Sequence, residues 1–535
     1  MKLKLVFLSL FLFTVCTPYE SGLHENENPL INVNTIRANL QLLSSDELEG
    51  REAGTRGEKL AAMYLASQLR QYGVKPFAYS NNRNGADSLR YFMEFEATKI
   101  SILPESYMML FDSVSNKQTP LTYGQYFVNF HDQLVNCKID APVVFAGFGI
   151  TAPEYNYDDY ANLDVKGKIV VALDGEPQSD DENYFDGAIQ STYASAQFYK
   201  RHRAKELGAK AFIVLAYNGL LSKWDDYVSY FLAGKMVFNG EYVSADDQER
   251  MPFFYASNQF FETLLSNSGH SYDSIRSMIN ERKDPPRFEI KHLSAKLRMD
   301  TKATSTKTMN VVGMIEGRDP VLKNEFVAIG AHFDHLGMND SGIVFNGADD
   351  DGSGTVTVLE VARAFSRSRD NKRSILVVFH GAEEKGLLGS EYLTSEDTPK
   401  PFQLSQIVSQ INIDMVGRES ADSIYVIGSG RLSSELKALN ESINKSLKLF
   451  TFDYTFDADN DPNRYYYRSD HYNYAKFGIP VVFFFDGMTT DYHKSTDDFD
   501  KINFTKIEKT AKLVHALAER IANQDHRLEV DGKRH

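Results

Sequence analysis

The stretch Ala331–Gly354, AHFDHLGMNDSGIVFNGADDDGSG, decides how this chain is read. His332 and Asp334 sit just past FVAIGA, an apolar run that reads as a buried strand. Asp349, Asp350 and Asp351 follow, directly before a Gly-Ser-Gly turn and a helix. A histidine and packed carboxylates at a strand end and a helix start are costly to place unless they bind something cationic. The stretch therefore predicts a metal centre, with further ligands supplied from elsewhere in the chain.

Working outward, the chain has 535 residues, too many for one ordinary core, so two large domains or one with a large insertion are expected. The composition, 42% hydrophobic and 24% charged, is that of a globular protein. A net charge of -15 argues against a nucleic-acid binder, which would show a basic face. The chain starts with basic MKLK and the apolar run LVFLSLFLFTV, a signal-peptide pattern over residues 1–18 that is too short to span a bilayer comfortably. An extracytoplasmic protein is expected: periplasmic, secreted, or held at the membrane by a lipid on Cys16. Phe13-Thr14-Val15 lack the small residue usual before an acylated cysteine, so plain secretion and a lipoprotein both stay open. Cys137 is the other cysteine, and no intrachain disulfide is expected in the mature chain.

A helix is predicted over Asn34–Glu49 from Ile36, Leu40 and Leu43, and a second around Leu60–Leu69, closed by Gly73. Arg90–Thr98 alternates as a first strand. Residues 105–300 differ in character. They hold the apolar runs APVVFAGFGI, GKIVVAL and KAFIVLAY, with a helix predicted over Ala194–Leu207, and read as a β-rich module inserted between residues 30–104 and 301–525. The acidic pairs Asp158/Asp159 and Asp180/Asp181 read as solvated loops. From Thr308 onward, MNVVGMI, FVAIGA, SILVVFHG, SQINIDMVG and IPVVFFF alternate with helical segments. Such runs suit strands buried on both faces of a largely parallel sheet, giving an α/β fold with its site at the carboxyl ends of the strands. The tail 526–535 is polar.

Five polar clusters follow apolar strands or open helices: His332/Asp334, Asp349–Asp351, Glu383/Glu384, Asp414, and His493 in DYHKSTDD. Each alone is ordinary surface or a hydrogen-bonded side chain. Asp414 resists that reading, because INIDMVG sets a carboxylate within an apolar strand. Together they form a two-metal ligand inventory.

The blocks DELEGR, HFDHLG, NGADDDGSG, EEKGLLGS, NIDMVG, YRSDHYNYAKFGIP and DYHKSTD resemble the co-catalytic di-zinc aminopeptidase family, which includes bacterial leucyl aminopeptidases and glutamate carboxypeptidase relatives. The inserted block, with GKIVVALDGEPQ and RAKELGAKAFIVLAY, resembles a protease-associated domain. The resemblance implies a three-layer α/β sandwich with a central, mostly parallel mixed sheet and two zinc ions. His332 and Asp414 would bind one zinc, Glu384 and His493 the other, and Asp350 would bridge them. Asp334 would accept a hydrogen bond from His332 and fix its tautomer. Glu383 would be the general base for a metal-activated water. Tyr466, beside Tyr465 and Tyr467, would bond the developing oxyanion. Asp470 and His471 would do supporting work. The implied substrate is a peptide with a free N-terminus.

A carboxypeptidase of the same fold would need a cationic clamp, for which Arg464 and Arg468 are candidates. A one-zinc glutaminyl cyclase fits less well, since the two-metal set is full. A non-catalytic binding scaffold would show a substitution at Glu383 or at a ligand, and none is present. Gly352–Gly354 lacks the Lys of a phosphate loop, and no Gly-x-Ser-x-Gly elbow marks a serine hydrolase.

Overall fold

The computed structural model describes residues 30–532, apart from 80–88, 130–135, 180, 182–183, 187–190, 217, 223, 225–227, 229–234, 239–249, 267, 340 and 462. Expectations on residues 1–18, on Cys16 and on Asp180 lie outside the described residues. In chain order the main layer elements are α1 (Val33–Leu43), α2 (Arg56–Tyr72), β1 (Phe92–Ile102), β2 (Lys235–Phe238), β3 (Thr301–Ile315), β4 (Phe326–His332), α3 (Gly354–Ser368), β5 (Ser374–His380), α4 (Leu388–Thr394), β6 (Ile407–Ile413), β7 (Ser423–Ile427), α5 (Ser434–Leu447), β8 (Thr451–Asp453), α6 (His471–Ala475), β9 (Val481–Phe485) and α7 (Phe504–Asn523).

The strands form one mixed sheet in the order β2-β1-β3-β5-β4-β6-β9-β7-β8. The pairs β5/β4, β4/β6 and β6/β9 are parallel. Pairing turns antiparallel at β3/β5 and at β7/β9, towards the two edges. The parallel centre explains the continuous apolar runs, because each of its strands is buried on both faces. In β4, Val327, Ile329 and Ala331 enter one core with α1, α2, α3 and α7, while Phe326 and Ala328 enter a second core on the opposite face with Leu393 of α4 and Tyr474 of α6. This is a three-layer α/β sandwich. MNVVGMI belongs to an antiparallel strand, β3, so the parallel part is narrower than the apolar runs alone suggest.

Three local readings are corrected. The first helix stops at Leu43 rather than Glu49, and Asp46–Arg51 coils into a tight turn with Glu49, Gly50 and Arg51 at positive φ. Gly50 is required there, since a Cβ would lie 2.3 Å from the Gly337 carbonyl oxygen. Ala194–Leu207 is a wide turn over Ala196–Lys200 followed by a short helix, Arg201–Glu206. In α3, Leu359, Ala362 and Phe365 face the core, but every residue from Gly354 to Phe365 is buried. Its polar members are internally paired: Arg363 grips Glu360, and Glu360 accepts from the Asn32 amide at 2.5 Å.

A second, eight-stranded sheet is built from residues 107–299. At its centre Ile169–Ala172 pairs in parallel with Cys137–Ala146 and Ala211–Leu215. Asp159 is not a solvated surface acid. It is buried and accepts from the Ile150 amide (2.9 Å), the Tyr157 hydroxyl (2.8 Å) and Arg287 Nε (2.6 Å), tying a loop to the sheet. One strand of this region, β2, leaves it and extends the main sheet along β1.

Candidate metal centre and active site

The site gathers at the carboxyl ends of β4, β5, β6 and β9. His332 ends β4, Glu383 and Glu384 follow β5, Asp414 follows β6 immediately, and His493 lies past β9. Asp414 is therefore one residue beyond its strand rather than inside it. Asp350 comes from the turn that opens α3. That turn sits tightly against β6, since a Cβ on Gly354 would lie 2.3 Å from the Ile413 carbonyl oxygen.

His332 Nε2 lies 3.3 Å from Asp350 Oδ1, 3.4 Å from Asp414 Oδ1 and 3.9 Å from Glu383 Oε2. His493 Nε2 lies 3.4 Å from Asp350 Oδ2 and 3.1 Å from Glu384 Oε2. Asp350 thus stands between the two imidazoles. Neighbouring ligands on a tetrahedral zinc with bonds near 2.0 Å are about 3.3 Å apart, so these separations fit atoms arranged around shared cations. Among the described residues, Asp350 Oδ2, Asp351 Oδ2, Glu384 Oε1, Asp414 Oδ1 and both ring nitrogens of His335 are buried without a directed hydrogen bond. Buried orphans of this kind, converging in one place, need a partner that the protein alone does not provide. The donor set is imidazole and carboxylate, which suits zinc and similar divalent ions.

The electrostatics agree. Burial opposes charge on His332, yet Glu383, Asp414 and Asp350 outweigh it and raise its pKa well above the ordinary value. Burial also opposes the His493 imidazolium, but Glu384 and Asp350 raise it to about 10. Asp350 is held well below the usual carboxylate range, against burial, by His332, His493 and His335. Burial, then the neighbouring Glu384, Asp414 and Asp470, push Glu383 well up. Burial drives Asp334 up to about 6. The cluster has more negative charge than its histidines offset, as a cation site would.

Two side chains in the opening stretch were not singled out as donors from sequence. His335 Nδ1 lies 2.9 Å from Glu384 Oε1 and 3.9 Å from Asp350 Oδ2, so His335, Asp350 and Glu384 form one possible three-donor group. Asp351 forms another with His332 and Asp414. Its Oδ1 accepts from the Gly354 amide (2.8 Å) and the Met415 amide (3.1 Å), pinning the turn to the backbone after Asp414. The signal was there, three residues past His332 and one past Asp350. Only the fold shows that both side chains turn inward.

Asp334 is buried where expected, but its task differs. His332 Nδ1 faces the Asp334 main-chain oxygen at 3.2 Å, with the carboxylate 3.8 Å away. The carboxylate instead accepts from the backbone amides of Glu383 (3.0 Å) and Glu384 (3.3 Å), fixing the loop that carries both acids. Alternation on an extended segment does not extend past the end of β4, so the carbonyl and not the side chain meets the imidazole.

Tyr466 is not on the cleft wall. Its ring lies beneath the Arg431 guanidinium, 4.2 Å from the centroid, and against His471. The phenols that line the cleft are Tyr465 and Tyr492, beside Met415, Phe483, Phe485 and Met488. Tyr492 stacks on His493 at 3.7 Å between centroids. Burial holds its proton on, and Asp350, Glu384 and Glu383 add to that effect. Of the two arginines, Arg468 lines the cleft, whereas Arg464 is exposed and lies over the Tyr467 ring. Asp470 and His471 are fully buried behind the site.

Beneath the floor runs the clamp of Arg51, a residue of DELEGR. Its guanidinium donates to the carbonyls of Phe333 (2.7 Å), Asn346 (2.6 Å), Gly347 (2.9 Å) and Leu43. It joins the segment after His332 to the segment before Asp349.

Residues 310–518 match the family described as Peptidase family M28. Leucine aminopeptidase 1 of Uncinocarpus reesii is 30% identical over 230 residues, 40% of this chain and 54% of its own length. Aminopeptidase YwaD of Bacillus subtilis is 28% identical over 234 residues, 42% of this chain and 47% of its own. The chain thus spans about half the length of the curated relatives it matches. Among solved structures, an aminopeptidase from Aneurinibacillus sp. strain AM-1 superposes with a TM-score of 0.58 at 19% identity, covering 94% of this chain and 97% of that one. BSAP, a zinc aminopeptidase from Bacillus subtilis, gives 0.53 at 18% identity, covering 94% and 99%. These two likenesses establish a shared fold across both sheets. The segment that supplies every site residue from His332 to His493 lies within the stretch that matches Peptidase family M28.

Proposed function

We propose that the protein is a metal-dependent aminopeptidase that removes N-terminal residues from peptides. The observation that carries this reading is Asp350, a buried carboxylate within 3.4 Å of two imidazoles, each with its own second carboxylate. On that geometry His332, Asp350 and Asp414 would hold one zinc, and Asp350, Glu384 and His493 a second, with His335 orienting Glu384. Bound there, the metals would polarise the scissile carbonyl and acidify a water.

The chain's own residues do the rest. Glu383 lines the cleft without being needed as a ligand, and its Oε2 lies 3.9 Å from His332 Nε2, close enough to the metal position to carry a proton there. It takes a proton from the water whose oxygen joins the carbonyl carbon. It returns that proton to the amine as the C–N bond breaks. Tyr492, kept protonated by burial and nearby carboxylates, donates to the oxygen that gains negative charge. The carboxylates of the cleft hold the substrate's free ammonium, and Met415, Phe483, Phe485 and Met488 receive an apolar first side chain.

Aminoacyl-p-nitroanilides tested beside their N-acetylated forms, with and without chelator, address this directly. Chelator-sensitive release from free amines only, with Glu383→Gln keeping its zinc and losing turnover by about 10²-fold or more, is the expected result. Chelator-insensitive turnover, or full activity in Glu383→Gln, would refute it. Activity confined to N-blocked peptides with a free carboxylate would make the protein a carboxypeptidase, a reading that Arg468 in the cleft wall keeps in view.

The basic start and apolar run at residues 1–15 support export, with or without a lipid at Cys16. No helix among the described residues is long and apolar enough to cross a membrane. Recovery of the protein in the cytoplasmic fraction would overturn that assignment. The region 105–300 is proposed as a protease-associated domain that restricts access to the cleft. It would admit small or unfolded substrates; its replacement by a short linker, if turnover of large folded substrates did not rise, would argue against that role.

A further inference from the structure

The cleft wall presents four carboxylates, two histidines and one permanent cation, Arg468. The place of that cation is built. Tyr465–Tyr467 forms a tight turn that Arg468 closes, its amide donating to the Tyr465 carbonyl at 3.0 Å. The next residue, Ser469, is fully buried and donates to Asp414 Oδ2 at 2.7 Å, while Asn412 Nδ2 donates to the Ser469 hydroxyl at 2.8 Å. The backbone carrying Arg468 is thereby tied to a prospective metal ligand. Its guanidinium carbon lies 5.1 Å from the centroid of the Tyr465 ring, and its charge acts on the Tyr492 phenol, lowering a pKa that burial raises. Both rings line the cleft, so the guanidinium stands on its aromatic side, towards the solvent.

An arginine in this position matches a planar anion better than any other part of a peptide. The aminopeptidase reading, on which this inference rests, places the substrate's ammonium among the carboxylates of the same cleft. An extended dipeptide runs only about 7 Å from amine to carboxylate, the span of two residues. A cleft lined by both carboxylates and an arginine is complementary in charge to a zwitterion of that kind.

We propose that Arg468 binds a substrate carboxylate, so that the enzyme favours short peptides whose free C-terminal carboxylate lies next to the scissile bond, dipeptides first. The same chemistry could be met by an acidic side chain at the first position, and the assay separates the two sources.

The zinc-loaded wild-type protein is given Leu-Gly, Leu-Gly-amide, Leu-p-nitroanilide and Glu-p-nitroanilide, and kcat/KM is compared within pairs. Leu-Gly is expected to exceed Leu-Gly-amide by about 10- to 100-fold, the range for a charged hydrogen-bonded pair. In Arg468→Gln that ratio should fall close to one, and Arg468→Lys should keep part of it. A preference for Glu- over Leu-p-nitroanilide that vanishes in Arg468→Gln would keep the carboxylate assignment and move its source to the side chain. Equal turnover within both pairs in the wild type, or a preference that survives Arg468→Gln, overturns the inference alone. Turnover of none of the four sinks the aminopeptidase reading and this inference with it.

Discussion

Replacing Arg51 by methionine should destabilise the fold more than any surface substitution, and do so most in the metal-free protein. Arg51 is 1% exposed and donates to four main-chain carbonyls, those of Leu43, Phe333, Asn346 and Gly347. Methionine fills a similar volume but donates nothing. Four carbonyls losing their partner at about 1 kcal/mol each come to about 4 kcal/mol, within the range for breaking a buried charged network. For a cooperative unit of about 200 residues that is a fall in Tm of about 10 °C. Burial lowers the Arg51 pKa, but the charges of Asp334, Asp497, Asp350 and Asp351 support the cation. Removing it therefore leaves those acids to repel one another until metal binds. Differential scanning calorimetry on chelated and zinc-loaded protein should show the larger fall in the chelated sample. Arg51→Lys keeps the charge but not the fork, and should fall between the two. A drop under about 2 °C in chelated Arg51→Met, or equal drops with and without zinc, would refute the clamp as the element that holds the metal-binding loops.

Glu58 makes a pH prediction. It is buried in α2, accepts from the Gly54 amide at 2.7 Å and from Thr308, and burial raises its pKa to about 8 against an ordinary 4.5. The folded state thus binds a proton that the unfolded state has released between pH 4.5 and 8. Its contribution to stability is complete below pH 4.5 and is lost as pH rises through 8, at a cost of about 3–5 kcal/mol. Glu58→Gln should flatten the decline in Tm between pH 5 and 8.5; an unchanged slope would count against it. His335→Gln should weaken zinc binding about 10- to 100-fold in competition titrations while leaving Tm of the metal-free protein nearly level, the usual effect of losing a residue that orients a ligand. Unchanged affinity would remove His335 from that role. Tyr492→Phe should lower kcat about 10²-fold with little change in KM. The same loss in Tyr466→Phe with none in Tyr492→Phe would return the oxyanion role to Tyr466.

The central sheet was legible because its strands are buried on both faces, leaving runs such as SILVVFHG with no polar interruption. His332, Glu383, Glu384 and Asp414 were legible as candidates because they end or closely follow such runs, whereas Asp350 opens a helix and His493 lies well past β9. Tyr466 was misplaced because three tyrosines in a row give no register, and the tight turn over Tyr465–Tyr467 sends consecutive rings in different directions. Asp334 was assigned to His332 through the resemblance, but the chain leaves β4 at His332, and two residues on the carboxylate faces the Glu383 and Glu384 amides instead. His335 and Arg51 escaped notice because their importance is burial against distant segments. Nothing local in DELEGR says that its arginine will meet Gly347.

The strand β2 has a consequence for how separable the two halves of this protein are. Lys235–Phe238 arises within the second sheet's segment of chain yet pairs with Ala97–Ile100 of β1, so the main sheet borrows its outermost member from that segment. Excising residues 105–300 would therefore strip a border as well as removing a module. The uncovered amides and carbonyls of β1 would become an adhesive rim, open to a strand from any neighbouring molecule. A trimmed chain would have to re-cover that rim, by a grafted strand or by charged and proline substitutions along it, before its solubility could be credited to the sandwich alone.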